Sequence, residues 1–393
     1  MSEQTPSSQH ASSQQTAKPK WIWINILFFG LSFLAAIVLV PWYGFEHGYH
    51  VSSWAWGIGL WLFSSTSISM GYHRLWSHRA YEANPVLRAI LAFGGCLALQ
   101  NSALHWSSDH RIHHKHVDHD TKDPYSASRG FWHSHIGWLL KREGEAVRYD
   151  EQYDRCPDLK RDPIVMFQHK YYWLLSVSAN ILVPLVLGLM TGLVWEMMII
   201  AGVLRLVWSH HLTFFINSLA HMWGTRPYTE ENSARDNLVL AVLTGGEGYH
   251  NYHHKFQYDY RNGIRWWHFD PSKWWIKALS WVGVTRNLKA VSNEKIEKAK
   301  AETLLLKAQQ KTAHLPNAEE IMQKLHEEYE QFIAKLTDAY AARKQWLEAK
   351  KNDMVENMVE SYEHSKLMEN YKQLKHSFEQ QKINWLILAK QYA

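Results

Sequence analysis

VSSWAWGIGLWLFSSTSISMGYHRLWSH, residues 51–78, begins as an uncharged run through Tyr72 and ends in two histidines, His73 and His78. A helix of about 20 such residues crosses the hydrocarbon core of a bilayer. Polar, metal-ligating side chains at the end of a span are functional candidates by default. The stretch therefore sets the frame for the rest of the chain: a membrane helix that delivers ligands to one face. Three further runs match it. Trp21 to Phe45 holds no Asp, Glu, Lys or Arg, nor does Tyr171 to Trp195, and Met197 to Trp223 holds only Arg205. Four crossings in two hairpins follow, with spans at about 21–45, 51–72, 171–195 and 197–223.

The connectors Glu46–His50 and Thr191–Glu196 lack Lys and Arg, whereas the segment from Arg74 to Lys170 carries many. By the positive-inside rule both termini and the 73–170 segment face the cytoplasm. The run at about 86–104 is shorter, follows Pro85 and contains Arg88 and two glycines. It reads as an interfacial or re-entrant helix. Residues 1–20, rich in Ser, Gln and Thr, read as a disordered tail. Residues 21–290 form the membrane unit. From 291 to 393 the composition turns to Lys, Glu, Gln, Ala and Leu. Apolar positions there recur at helical spacing (Ile321, Leu325, Tyr329, Phe332, Leu336, Tyr340), which predicts a helical hairpin or coiled-coil extension. The mean hydropathy of −0.36 averages this polar extension with the apolar first part.

The chain has 393 residues, 21 Trp, 19 Tyr, a formal charge of +5, and two cysteines, Cys96 and Cys156. The aromatic excess suits membrane–water interfaces. Two distant cysteines argue against a disulfide framework and a built-in iron–sulfur centre. No nucleic-acid-binding motif accompanies the charge. The exceptional residue is histidine, of which there are 25. Beside His73-Arg-Leu-Trp-Ser-His78 stand His110-Arg-Ile-His113-His114 and His250-Asn-Tyr-His253-His254, and Asn217-Ser-Leu-Ala-His221 closes the fourth run.

On a helix, residues at i, i+3 and i+4 share a face. Adjacent residues diverge by about 100°, so neighbours such as His113 and His114 can serve two ions. His73 and His78, five apart, require the helix to end or loosen between them. Four ligands satisfy a structural zinc; nine clustered imidazoles suit two ions. Among nearby acids Asp109, Asp118, Asp120, Asp123 and Glu247, the expected supports of ligand rings are Asp109 and Glu247. The residues by themselves leave open an oxidase acting on a chain, a membrane hydroxylase of alkanes or lipids, and a non-enzymatic metal-binding membrane protein. No H-E-x-x-H protease motif occurs.

The stretches GYHRLWSH, DHRIHH, NSLAH and GEGYHNYHH, with SHIGWLL and RPY, resemble the acyl-CoA (stearoyl-CoA-type) delta-9 fatty acid desaturases over roughly Trp54 to Gly283. The resemblance implies an all-α membrane protein, four transmembrane helices under a cytosolic helical cap, with a kinked acyl tunnel beside two irons. It implies His73, His78, His110, His113, His114, His221, His250, His253 and His254 as iron ligands, and Asn217 acting through water. It places Gln100, Trp106 and Thr213 at the tunnel and Arg142 at the substrate head. Ser108 departs from the animal pattern, which has arginine there. The implied reaction is oxygen-dependent: a cis double bond enters a saturated long-chain fatty acyl thioester, with O2 as co-substrate and two external electrons. Because no haem-binding segment is evident, the expected partners are an acyl-CoA or other acyl thioester, a lipid bilayer, and an external ferredoxin- or cytochrome-b5-like donor with its reductase. Zinc can replace iron in recombinant material. A bacterial plasma membrane is the expected location, with the endoplasmic reticulum as the alternative.

Overall fold

The computed structural model describes residues 20–142, 153–356 and 361–393. The disordered tail expected at 1–20 falls almost wholly outside this range. Among the described residues three helices are long and apolar enough to cross a membrane: Trp23–His47, Tyr172–Thr191 and Val194–Met222. Gly48, at φ 72°, ends the first and turns the chain into Val51–Ser67. The protein is thus an integral-membrane, mainly helical chain.

Val51–Ser67 continues without a break into a π-helical segment, Ile68–Ser77. This wider winding resolves the five-residue spacing of the first histidine pair. The backbone N–H of His78 donates to the carbonyl of His73 at 3.1 Å, an i to i+5 bond. Residues five apart then lie nearly one turn apart, and both imidazoles face one way. Such bulges recur at functional sites.

The interfacial helix expected at about 86–104 is instead two helices, Pro85–Ala98 and Ala103–His116, bent by 81° at a short break. Asn84 caps the first through the N–H of Leu87, and Leu99, at φ 51°, stops it. Ser102 caps the second. The exposed C-terminal carbonyls of the first helix need partners where water is scarce. Asn180 donates to the Cys96 carbonyl at 3.1 Å and Arg205 to that of Leu97 at 2.7 Å. His210 Nε2 lies 3.0 Å from the Ala98 carbonyl. The one basic residue within the last span, Arg205, is therefore a helix cap, favourably placed at a negative dipole end.

At the opposite end of the helices, buried Glu196 ties the two hairpin connectors together. It accepts from the His50 backbone N–H at 2.8 Å and from the Ser53 hydroxyl at 2.7 Å. Three short helices follow the last span: Leu238–Leu243, His250–Lys255 and Pro271–Trp281.

Among the described residues the extension from 291 contains three helices rather than the two of a hairpin: Asn293–Thr312, Ala318–Glu356 and Ser361–Tyr392. Pro316 does separate the first two. Ile321, Leu325, Phe332 and Leu336 are buried against Phe378 and Trp385, as the helical spacing requires.

Candidate metal centre

The nine expected histidines gather into two sets. His73, His78, His110, His114 and His253 form one, and His113, His221, His250 and His254 the other; within each set the ligand atoms lie within 4.8 Å of one another. Adjacent residues divide between the sets, as the 100° divergence requires: His113 from His114, and His253 from His254. The rings of His114 and His254 stack at 4.4 Å, so the two cradles adjoin.

The inward atoms are Nε2 throughout the close pairs. His73 and His253 approach to 2.9 Å, as do His78 and His110, and His114 and His253. In the second set His221 and His254 each lie 3.1 Å from His250, and His113 lies 3.4 Å from His254. Ligands at right angles around an ion with bonds of about 2.1 Å sit about 3.0 Å apart, and tetrahedral ones about 3.4 Å. The first cradle therefore has the edge length of a five- or six-coordinate site. Burial first, and crowding by neighbouring imidazoles second, hold His250, His253 and His254 well below the ordinary histidine range. Neutral rings with free lone pairs directed at a common point are what a divalent ion needs.

The outward Nδ1 atoms of His73, His110, His113 and His221 have partners that set ring orientation, whereas that of His250 has none among the described residues. Glu247 takes His73 at 2.9 Å, and Arg74 clamps Glu247 and Asp270. Burial pushes the Glu247 carboxyl up, but His73 and Arg74 together hold it well below the carboxylate range. Asp123, 1% exposed, takes His113 at 2.9 Å. Ser233 meets His221 Nδ1 at 2.8 Å and donates to Asp118 at 2.5 Å. Tyr125 lies 3.2 Å from His110 Nδ1.

Of the two expected supports, Glu247 is in place and Asp109 is not. Asp109 faces His105, one turn back on its helix, at 3.4 Å. It adjoins His110 in sequence, and the same 100° rotation that separates neighbouring ligands turns its carboxylate away. The supports that sequence reasoning passed over are Asp118 and Asp123, with Ser233 and Tyr125. Only the acid-rich run after the second box hinted at them. Asp123→Asn keeps an acceptor but loses the charge; metal affinity or turnover should fall about 10–100-fold. Metal per chain after dialysis, beside turnover, measures this, and wild-type values in both would remove Asp123 from the site.

Beside the cradles runs a cavity of about 300 Å³, lined by His73, His110, His113 and His250 at one part and by Phe28, Phe29 and Val177 elsewhere. Asn217, Gln100, Trp106 and Thr213 all lie on its wall. Trp106 stacks on His110 at 4.8 Å. Gln100 donates to the Thr213 hydroxyl at 2.9 Å, joining the helix break to the last span. The side chain of Arg142 lies outside the described residues.

An apolar cavity against paired histidine cradles at the end of membrane helices defines a class: membrane proteins built around a two-metal, histidine-only centre. The comparison with known proteins narrows it. Residues 52–281 match the fatty acid desaturase family model, and the chain belongs to that family. It is 39% identical over 294 residues to a probable acyl-CoA desaturase of Schizosaccharomyces pombe, covering 74% of this chain and 60% of that protein. It is 38% identical over 287 residues to stearoyl-CoA desaturase 5 of Bos taurus, covering 72% and 84%. It is 35% identical over 275 residues to an sn-2 palmitoyl-lipid 9-desaturase of Nostoc sp., covering 69% and 91%. The matches thus span about three fifths of the S. pombe protein, and 58% of acyl-CoA desaturase 1 of Saccharomyces cerevisiae.

Proposed function

We propose that this chain is an oxygen-dependent desaturase that introduces a cis double bond, at the delta-9 position, into a saturated long-chain fatty acyl-CoA. The observation that carries the reading is the apolar cavity in direct contact with the two imidazole cradles. Two irons would occupy the cradles, the nine histidines holding them and Asn217 reaching the four-histidine ion through water. The irons supply activation of O2 for removal of two hydrogens from neighbouring methylenes. With two electrons and two protons from outside, one O2 leaves as two waters. The donor is a ferredoxin- or cytochrome-b5-like protein served by a reductase. The names of relatives that act on acyl-CoA, stearoyl-CoA and a palmitoyl lipid support a fatty acyl substrate.

The protein's part is placement. Methylenes offer no polar handle, and one methylene discriminates by only about 1–3 kcal/mol. Position along the chain is then set by where the cavity bends and stops. Val51–Ser77 acts as the fourth crossing, so the cap and both termini face the cytoplasm of a bacterial plasma membrane. Arg142 serves the substrate head.

Expression in a desaturase-deficient host, with fatty-acid profiling, tests the activity. A monoene should appear; a hydroxylated acid with no monoene would assign hydroxylation instead. Thr213→Trp fills the wall opposite Gln100. It should shift product position or lower yield severalfold with bound iron unchanged. Identical products from the variant would exclude Thr213 from the substrate path.

A further inference from the structure

A second cavity, of about 430 Å³, lies where the C-terminal extension meets the cap, well apart in sequence from the histidine boxes. All three extension helices contribute to it, together with the cap loops at Thr225–Pro227 and Arg265. Its wall carries six cations, Arg226, Arg265, Lys300, Lys307, Lys382 and Lys390, and one carboxylate, Glu297. Glu297 is shared between Lys300 at 3.2 Å and Lys382 at 2.7 Å. Just outside, Glu230 pairs with Arg226 at 2.6 Å and Lys307 at 3.1 Å. Six positive charges thus face two negative ones. Arg265 and Lys390 have no carboxylate partner among the described residues.

A solvated basic helix face would show no more than this. Two observations go further. The charges line a half-open cleft built from two separate parts of the chain, and Lys307 fastens them by donating to the Arg226 carbonyl at 2.6 Å. Trp385 also lines the space, is 1% exposed, and its indole N–H has no acceptor among the described residues. A buried indole N–H ordinarily finds a partner. Trp385 and the surplus positive charge line the same cleft.

We propose that this cavity binds a multiply charged, phosphate-bearing small anion, with Arg265 and Lys390 as its principal charge partners and Trp385 as an added donor. Phosphate oxygens accept from guanidinium, ammonium and N–H groups alike. The volume exceeds one phosphate and suits a di- or triphosphate group. The extension then has a stated job: it closes an anion site on the cap. The site also touches the metal centre's frame, because the loop carrying Arg226 continues to Tyr228, whose N–H donates to Asn251, inside the third histidine box, at 2.8 Å.

Calorimetric titration of the detergent-solubilised full-length protein tests this, with inorganic pyrophosphate, ADP and an oligoglutamate peptide as probes. One pyrophosphate per chain should bind, and added salt should weaken it. The pair Arg265→Ala/Lys390→Ala should weaken it about tenfold or more, leaving acyl turnover without the anion unchanged. Trp385→Phe, which keeps a ring and loses the N–H, should weaken it severalfold. Should the buried change upset folding, Lys390→Gln on the exposed rim gives the same reading. Binding of ADP as well as pyrophosphate identifies a nucleotide as the source; pyrophosphate alone identifies a free polyphosphate. No pyrophosphate binding, equal binding by the Arg265/Lys390 variant, or binding of oligoglutamate alone overturns the proposal.

Discussion

His113→Ala is expected to abolish turnover and to lower bound iron by about one ion per chain. His113 belongs to the smaller cradle, which drops from four imidazoles to three, whereas loss of His78 still leaves four in the other. Full occupancy of a divalent site needs about four protein ligands unless water completes it. The substitution also strands Asp123, a buried carboxylate whose charge is then unpaired, at a cost of about 1–3 kcal/mol or more. His78→Ala should lose activity too, but retain more metal. Elemental analysis of purified variants beside product assays separates the two. Full turnover in His113→Ala would remove the two-cradle reading, and equal metal loss in both variants would remove the ligand-count argument.

Gly248→Ala should be nearly as damaging, though it touches no ion. A methyl at this position would lie 2.1 Å from the Ala241 nitrogen and 2.6 Å from the Leu240 carbonyl carbon. Both are backbone atoms of Leu238–Leu243, so no side chain can rotate aside. The same residue accepts from the Asn237 N–H at 2.8 Å. Relief requires moving either that helix or the loop that carries Glu247 and His250. Overpacking of this kind costs about 1–3 kcal/mol, occasionally more. Loss of bound iron and a lowered unfolding midpoint are the expected readings. Normal values in both would mean that the loop yields without disturbing its histidines. The glycines of GEGYHNYHH are therefore spacing elements between Leu238–Leu243 and the third histidine box. Gly246, at φ 102° and with Asp270 2.9 Å from its would-be methyl, serves the same end.

The gathering of the nine histidines was legible because histidine is rare enough, and its spacings helical enough, for short patterns to carry meaning. His73 and His78 already required a loosened helix, and the π-helical segment supplies it. What the chain does between patterns was less legible. Asp123 supports His113 from a loop ten residues on, and no periodicity reports how a loop folds back. Asp109 looked better placed because it is nearer in sequence, yet on a helix the adjacent position is the wrong one. The helix at 86–104 read as one piece because Leu99 and Asn101, which carry the break, are neither Gly nor Pro. Their positive φ values of 51° and 71° follow from tertiary contacts. The extension's apolar face was visible, but its division into Asn293–Thr312, Ala318–Glu356 and Ser361–Tyr392 was not.

The capped tip of Pro85–Ala98 has a bearing on biogenesis. Its carbonyls are held by Asn180, Arg205 and His210, and the Leu97–Arg205 bond joins residues 108 positions apart. At about 5–20 residues per second, the ribosome takes roughly 5–20 s to make that interval. During this time the tip has no partners, and a bilayer interior would not tolerate it. It must wait at the water-facing surface until the last two spans are made and then dock. A nascent chain halted before residue 205 should therefore leave this segment open to water-borne labels that the finished protein excludes.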